Sequence, residues 1–183
     1  MHRSRCFLVM WVALIAACAR GTITTNSFTS GYDAQAVDGV RRLRAATQAF
    51  KSLDSAVAAG YPRDVEACIV DEHHGAMGYH HLNRAYVDGT LVPEHPQFLL
   101  YERRPDGSYR LNGAEFVLPY RFYSRDSTPP VFMGQKLSRE DNFKYWYLHV
   151  WAWTKNPDGL FASFNPDVVC PAGRGQVYHP TPP

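Results

Sequence analysis

The chain has 183 residues, 45% of them hydrophobic, and its 19 basic and 17 acidic side chains give a formal charge of +2. Two of the basic residues, Arg3 and Arg5, belong to the N-terminal segment described next, so the rest of the chain is electrically neutral. Because nucleic acids and anionic membranes are bound through basic patches, this neutrality argues against both as binding surfaces for the folded part. A chain of this length can bury one good hydrophobic core and is short for two.

The first residues have the pattern of a secretory signal. A basic start precedes the eleven-residue apolar run Phe7–Ala17, which is shorter than the ~20 residues that a membrane-spanning helix needs. The run ends in Ile15-Ala-Ala-Cys18, which is similar to a bacterial lipobox. We therefore predict a signal peptide over residues 1–17 and a lipid anchor at Cys18, with ordinary signal cleavage nearby as the alternative. Either reading predicts export, with the protein anchored to the membrane on the periplasmic side of the envelope or secreted.

The cysteines agree with export. Cys6 and Cys18 belong to the signal region, which leaves Cys68 and Cys170 as the pair in the folded part. In an oxidising compartment such a pair most economically forms one disulfide, and two free buried thiols are the alternative. Closing a loop of about a hundred residues would stabilise the fold by ~4–5 kcal/mol on the chain-entropy model.

A tether and a helix come first in the folded part. Residues 18–32 are small and polar without periodicity, which predicts a flexible tether. Apolar residues then recur at spacings of three and four from Val37 to Val57, the pattern of an amphipathic helix. Asp33 is the predicted N-cap, and Gly60 marks the end of the helix.

Short β-prone runs separated by turn residues follow. Phe98–Glu102 and Tyr109–Leu118 flank Arg104-Pro-Asp-Gly107, in which proline presets φ and Asp-Gly makes the tight return of a hairpin. Tyr145–Trp153 is strongly β-prone, and a turn at Asn-Pro-Asp-Gly leads into Leu160–Phe164. The two runs predict a second hairpin.

This order of elements predicts an α+β fold: an N-terminal amphipathic helix followed by a mostly antiparallel β-sheet with hairpins. The single domain is predicted to cover residues 33–170. Residues 171–183 are rich in proline and glycine and predict a loose C-terminal tail.

Four of the eight histidines lie within the stretch Asp71–Asn83. A helix would bring most of them onto one face, as in many metal sites. Gly75 and Gly78 argue against a helix, whereas a strand that bends can accept them. We therefore predict a strand, whose alternation divides the histidines between two faces and places Met77 opposite His80.

Two further polar residues interrupt apolar strands. His149 lies in the middle of Tyr145–Trp153, and Glu115 lies within Ala114–Leu118. An unpaired polar group is costly to bury, so each needs a partner if its strand is covered. We expect His80, Glu115 and His149 to be partners if their strands are neighbours.

Several long motifs are distributed along the chain. They are Ala58-Ala-Gly-Tyr61, Gly75-Ala-Met-Gly-Tyr-His80, Pro96-x-x-Leu-Leu-Tyr-Glu102, Glu115-Phe-Val117, Pro129-Pro-x-Phe-x-Gly-Gln135, Leu148-His-x-Trp-x-Trp153, Asn156-Pro-x-Gly-x-Phe161 and Asn165-Pro-x-Val-x-Cys170. In these motifs the chain resembles a family of secreted bacterial proteins that has no assigned activity. The resemblance implies secretion and the paired cysteines. It also directs attention to His80, because relatives carry one histidine where this chain has His80-His81 and lack the pair His73-His74.

The first functional hypothesis is a metal site. Two histidines and one carboxylate form a recurrent ligand set for divalent ions, so His80, Glu115 and His149 could hold zinc, iron or copper. No fixed ligand spacing links the three residues. Met77 would favour copper if it faced the same way.

The second hypothesis is an aromatic cleft that binds a small molecule, with Tyr145 in its lining and Gln135, Tyr147, Trp151 and Trp153 as ligand-binding residues. Aromatic residues at strand spacing also build plain cores, which is the structural alternative. Acid–base catalysis by a Glu–His pair ranks third, because neither a nucleophile elbow nor a phosphate-binding glycine loop occurs. The sequence thus predicts an exported lipoprotein that binds a small ligand or a divalent metal. A metal-dependent or acid–base enzyme and a purely structural envelope protein are the alternatives.

Overall fold

Nine strands form two sheets in the part of the chain that the computed structural model describes, residues 28–62, 68–172 and 175–177. Their bounds are β1 (Cys68–Asp71), β2 (Gly75–Leu82), β3 (Phe98–Arg103), β4 (Tyr109–Pro119), β5 (Val131–Phe132), β6 (Gln135–Lys136), β7 (Ser138–Glu140), β8 (Tyr145–Val150) and β9 (Gly175–Val177). Seven make one curled sheet in the order β7-β8-β4-β3-β2-β1-β9, and β5 pairs with β6 separately. Neighbours in the large sheet are antiparallel except β1 and β9, which are parallel.

The helical region is more broken than the sequence predicts. Its segments are α1 (Ala34–Thr47), a 3-10 turn (Gln48–Lys51) and α2 (Leu53–Ala58), and a second 3-10 turn (Arg84–Tyr86) lies between β2 and β3. Asp33 is the N-cap, as predicted, and its carboxylate accepts a hydrogen bond from the backbone N–H of Ala36 at 2.8 Å. The break lies at Ser52, whose backbone is extended and whose hydroxyl caps α2 by accepting from the backbone N–H of Ser55. The hydroxyl of Tyr101 donates to the carbonyl of Phe50 just before it.

The predicted α+β fold is wrong, because the structure is mostly β. The longest described helical segment, residues 34–51, has 18 residues, and most of the regular structure belongs to the mixed seven-stranded sheet. Residues 175–177, within the predicted tail, form β9 beside β1. Parallel strands need no hairpin turn between them, so turn residues in the sequence could not indicate this pair.

Of the two predicted hairpins, only the first is present. β3 and β4 pair across the turn at residues 104–107, where the carboxylate of Asp106 accepts the backbone N–H of Ser108 at 2.9 Å. β8 ends at Val150, and residues 160–164 form no strand. β8 instead pairs with β7 on one side and with β4 on the other.

The two faces of the sheet differ in character around β4 and β8. Leu43 of α1 packs with Phe116 of β4 and Leu148 of β8 in the main hydrophobic core. These two strand residues alternate with Glu115 and His149, which therefore project from the opposite face. That opposite face carries the candidate site.

A disulfide joins β1 to the C-terminal segment. Cys68 and Cys170 are bonded, which confirms the predicted pair, and such a bond is compatible with an exported protein. Within the described residues, none of the helices has the length and apolar character needed to cross a membrane. The predicted signal peptide, the lipid anchor at Cys18 and most of the tether lie outside the described residues.

Candidate functional site

Glu115 and His149 lie directly opposite each other on β4 and β8. Opposite residues of an antiparallel pair project from the same face, with their Cβ atoms about 4.5–5.5 Å apart. On the other side of β4, Phe98 of β3 is the partner of Glu115. The register of the sheet alone therefore places the carboxylate of Glu115 between the imidazole of His149 and the ring of Phe98 on one face.

His80 reaches this face from β2, next to an irregularity at Gly78. The β1–β2 register shifts beside Ile69, so Met77 has no opposite residue and forms a β-bulge. Gly78 has a φ of 87°, and a Cβ atom there would lie 2.5 Å from the carbonyl oxygen of Tyr101, so only glycine fits. The bulge interrupts the alternation, and Met77 and His80 line the same cavity. The prediction that Met77 lies opposite His80 is therefore wrong.

The three predicted metal ligands converge in the structure. Nε2 of His80 lies 3.4 Å from Oε2 of Glu115, and Nε2 of His149 lies 3.7 Å from the same oxygen. One ligand atom from each residue lies within 4.8 Å of the other two. The side chains are 9%, 4% and 0% exposed for His80, Glu115 and His149. They form a buried group that could hold one metal ion.

The spacing of these atoms suits a metal ion better than it suits direct hydrogen bonds. A tetrahedral ion with bonds of ~2.0–2.1 Å separates its ligand atoms by about 3.3–3.4 Å, which matches the 3.4 Å of His80, while the 3.7 Å of His149 is somewhat longer. A hydrogen bond between the same groups would be shorter, about 2.7–2.9 Å. Both ring nitrogens of His149 are buried without a hydrogen-bond partner in the described part of the chain. Buried polar atoms without a partner are rare, and a metal bond to the unprotonated nitrogen would satisfy one of the two.

The electrostatics of the group also fit a cation. Burial lowers the pKa of His80 to about 4, although Glu115 and the backbone of Gly78 partly oppose the shift. This imidazole is therefore neutral at pH 7 and can offer a lone pair. Burial acts to raise the pKa of Glu115, but the adjacent His149 and His80 outweigh it and hold that pKa below its usual value. A buried carboxylate in this state needs positive charge beside it.

A cavity of about 100 Å³ opens beside the three residues. Its lining is mainly aromatic and apolar: Ile69, Met77, Phe98, Glu140, Phe143, Tyr145 and Tyr147, together with the three ligand residues. The hydroxyl of Tyr147 lies 3.0 Å from that of Ser163, so its polar end has a partner. An ion held by three protein ligands keeps open coordination positions, and this cavity has room for water or a small molecule at one of them.

The turn between β7 and β8 forms the outer wall of this cavity. Phe143 is 64% exposed and stacks on Tyr145 with ring centroids 6.0 Å apart. Asp141 anchors the turn, because its carboxylate accepts two hydrogen bonds from Arg125 at 2.8 and 2.9 Å and one from the hydroxyl of Tyr120 at 2.8 Å. These bonds lower the pKa of Asp141 to about 2, and those from Arg125 have the largest effect.

We expect the stabilisation by Asp141 to be complete above about pH 4 and to vanish as the pH falls through about 2, because its folded-state pKa is depressed from 3.8. The difference in unfolding free energy between wild type and Asp141→Asn should be constant from pH 7 to about pH 4 and shrink below it. Urea unfolding at each pH measures this. Asp126→Asn, whose side chain is 86% exposed, is the control and should differ little from wild type. A constant Asp141→Asn difference down to pH 2 would contradict the anchoring role.

Of the four predicted ligand-binding residues, Tyr147 alone lines the cavity. Gln135 lies in β6, in the small separate sheet. Trp151 lies just beyond the end of β8, where its Nε1 donates to a backbone carbonyl at 2.7 Å. Trp153 turns to the helical side, where its Nε1 donates to the hydroxyl of Thr47 at 3.0 Å. Because β8 ends before the two tryptophans, the strand alternation that groups them with Tyr147 does not reach them.

The other histidines of Asp71–Asn83 do not join the site. His73 and His74 lie in the turn between β1 and β2, and Nδ1 of His74 contacts the carboxylate of Asp71 at 2.8 Å. His81 is fully buried on the other side of β2, with Nδ1 at 2.8 Å from the carbonyl oxygen of Pro62. His80 alone of this stretch contributes an imidazole.

Several cavity residues were not singled out from the sequence, and Met77 was assigned to the wrong face. Tyr145 was placed in the aromatic cleft by its strand alternation with Tyr147 and His149, and it lines the cavity. Phe98 and Phe143 carry no such signal, since the pairing of β3 with β4 brings Phe98 to the cavity and the turn between β7 and β8 brings Phe143. For Met77, the signal is Gly78, whose freedom to adopt a positive φ permits the bulge.

Comparisons of the chain with protein-family models, with curated proteins and with solved structures found no match. The resemblance of its motifs to secreted bacterial proteins stays a prediction. The function of the protein is therefore argued from the geometry of the site.

Proposed function

We propose that this protein is an exported metal-binding protein that holds one divalent transition-metal or zinc ion through His80, Glu115 and His149. The observation that carries the proposal is the convergence of three buried ligand atoms within 4.8 Å of one another, with the Nε2 atoms of His80 and His149 at 3.4 and 3.7 Å from Oε2 of Glu115. Imidazole and carboxylate ligands suit zinc, iron and copper, whereas magnesium and calcium prefer all-oxygen sites.

The aromatic cavity adds a second part to this proposal. Rings of Phe98 and Tyr147 border the ligand group, so a small molecule could contact them and reach the open coordination position. Its size is limited, since about 100 Å³ holds a few waters or one small planar group. The protein would thus bind the ion together with a small ligand, in the envelope or outside the cell, with a lipid at Cys18 as its anchor.

Elemental analysis of protein purified from a periplasmic preparation without chelator tests the proposal. About one ion per chain is expected in the wild type, and His149→Ala should lose it, because two remaining ligands hold a divalent ion weakly. His81→Ala is the matched control: it removes another buried histidine, adjacent to His80, that contacts a carbonyl of the chain rather than the ligand group. A folded wild type that neither contains an ion nor takes one up from zinc(II) or copper(II) solutions would refute metal binding.

A further inference from the structure

We infer that the thioether of Met77 is a fourth ligand and that the ion is copper, which the site holds in the Cu(I) as well as the Cu(II) state. The inference rests on the proposed metal site and names its ion. Two histidines and a carboxylate suit Cu(II), while a thioether is a soft ligand that selects Cu(I).

The position of Met77 is the first support. Strand alternation from His80 would place this side chain on the far face of β2, and the bulge next to Gly78 instead puts it in the cavity that His80 lines. The bulge is tightly constrained, because the carbonyl of Tyr101 leaves no room for a Cβ atom at position 78. Met77 is 6% exposed, so the side chain is buried at this cavity.

The chemical character of the cavity is the second support. Ile69 and Phe98 line it together with Met77, so much of its lining is apolar. Soft thioether ligands select Cu(I), while the two imidazoles of the ligand group also suit Cu(II).

A methionine can also be a simple filler of irregular space, because it is flexible and apolar. Leucine would fill the same space without a sulfur atom, so Met77→Leu separates the two roles. Met133→Leu is the matched control, since Met133 is also 6% exposed but packs in the main core with Val40 and Leu43.

The test compares Cu(I) and Zn(II) binding by wild type, Met77→Leu and Met133→Leu, with ascorbate as reductant and a colorimetric Cu(I) chelator as competitor. We expect Met77→Leu to bind Cu(I) at least about tenfold more weakly. Mutation of a residue that only supports a metal ligand already weakens metal binding by about tenfold or more. Its Zn(II) affinity should change by less than about threefold, because zinc does not depend on a thioether. Met133→Leu should match the wild type for both ions.

X-ray absorption of the Cu(I) form gives a readout that packing alone would not change. The wild type and Met133→Leu should show a sulfur atom bound to copper, and Met77→Leu should not. Selenomethionine-labelled wild type should show a copper–selenium contact, which needs no variant to fold. Unchanged Cu(I) affinity in a folded Met77→Leu, or no selenium at copper, overturns the copper inference. If the wild type still binds Zn(II) in that case, the proposed metal site stands, and if it binds neither ion, both proposals fail.

Discussion

Replacement of the whole ligand group by apolar residues is expected to abolish metal binding without destabilising the metal-free protein. The variant is His80→Leu, Glu115→Met and His149→Phe combined. In the metal-free wild type, a carboxylate and two imidazoles are buried at separations too long for good hydrogen bonds, and both ring nitrogens of His149 lack a partner among the described residues. Exchanging buried charged groups for apolar side chains of similar volume is often neutral or stabilising by about 1–4 kcal/mol. The adjacent cavity of about 100 Å³ can accept the added volume of a phenyl ring.

Urea unfolding of the metal-free proteins measures this effect. The single variant His149→Ala is the comparison, because it leaves Glu115 buried with one partner fewer and should lose about 3–5 kcal/mol. Added metal should stabilise the wild type in proportion to the logarithm of its concentration and leave the triple variant unchanged. A triple variant less stable than the wild type by more than about 2 kcal/mol would mean that the three groups hold the sheet together as a polar network. That outcome would favour a structural role over a functional one.

Removal of the disulfide through Cys68→Ala and Cys170→Ala is expected to lower the free energy of unfolding by about 4–5 kcal/mol, since the bridged residues are 102 apart in sequence. The bridge restricts the unfolded chain, and it also joins the C-terminal segment to β1, which carries Ile69 at the cavity. Beyond β1, the part of the sheet that the structure describes ends with the three-residue β9. We therefore expect a weaker metal affinity in the double variant as well.

Urea unfolding without reductant measures the stability loss, and the wild type unfolded in the presence of reductant is the control. Reduced wild type and the double variant should have similar midpoints, because both lack the cross-link. A loss below about 1 kcal/mol would contradict the expected constraint on the unfolded chain. Equal metal affinities of the oxidised wild type and the double variant would show that the site does not depend on the position of β1.

The local features of the fold could be predicted from the sequence. Asp33 as N-cap, the turn at Asp106-Gly107 and the alternation of Glu115 with Phe116 each depend on neighbouring residues, and the structure has all three. The pairing of Cys68 with Cys170 followed from counting, because no other pair was left in the folded part. The three ligand residues were identifiable because polar side chains inside apolar strands need partners.

Only the tertiary structure decided which other side chains reach the site. Alternation assigns faces only while a strand stays regular, and two strands are interrupted. Gly78 permits a bulge, but only the pairing of β1 with β2 decides that one forms, and it moves Met77 to the cavity. β8 ends before Trp151 and Trp153, which leaves both outside the cavity.

The same distinction explains the error in fold class. The amphipathic stripe and the turn residues are local. They predicted one helix, which is present but broken, and two hairpins, of which the β3–β4 hairpin is present. The parallel pair of β1 with β9, strands separated by about a hundred residues, is a contact between distant segments that no short pattern encodes. Local chemistry thus determined which groups need partners, and the backbone pairing of distant strands determined which partners they have.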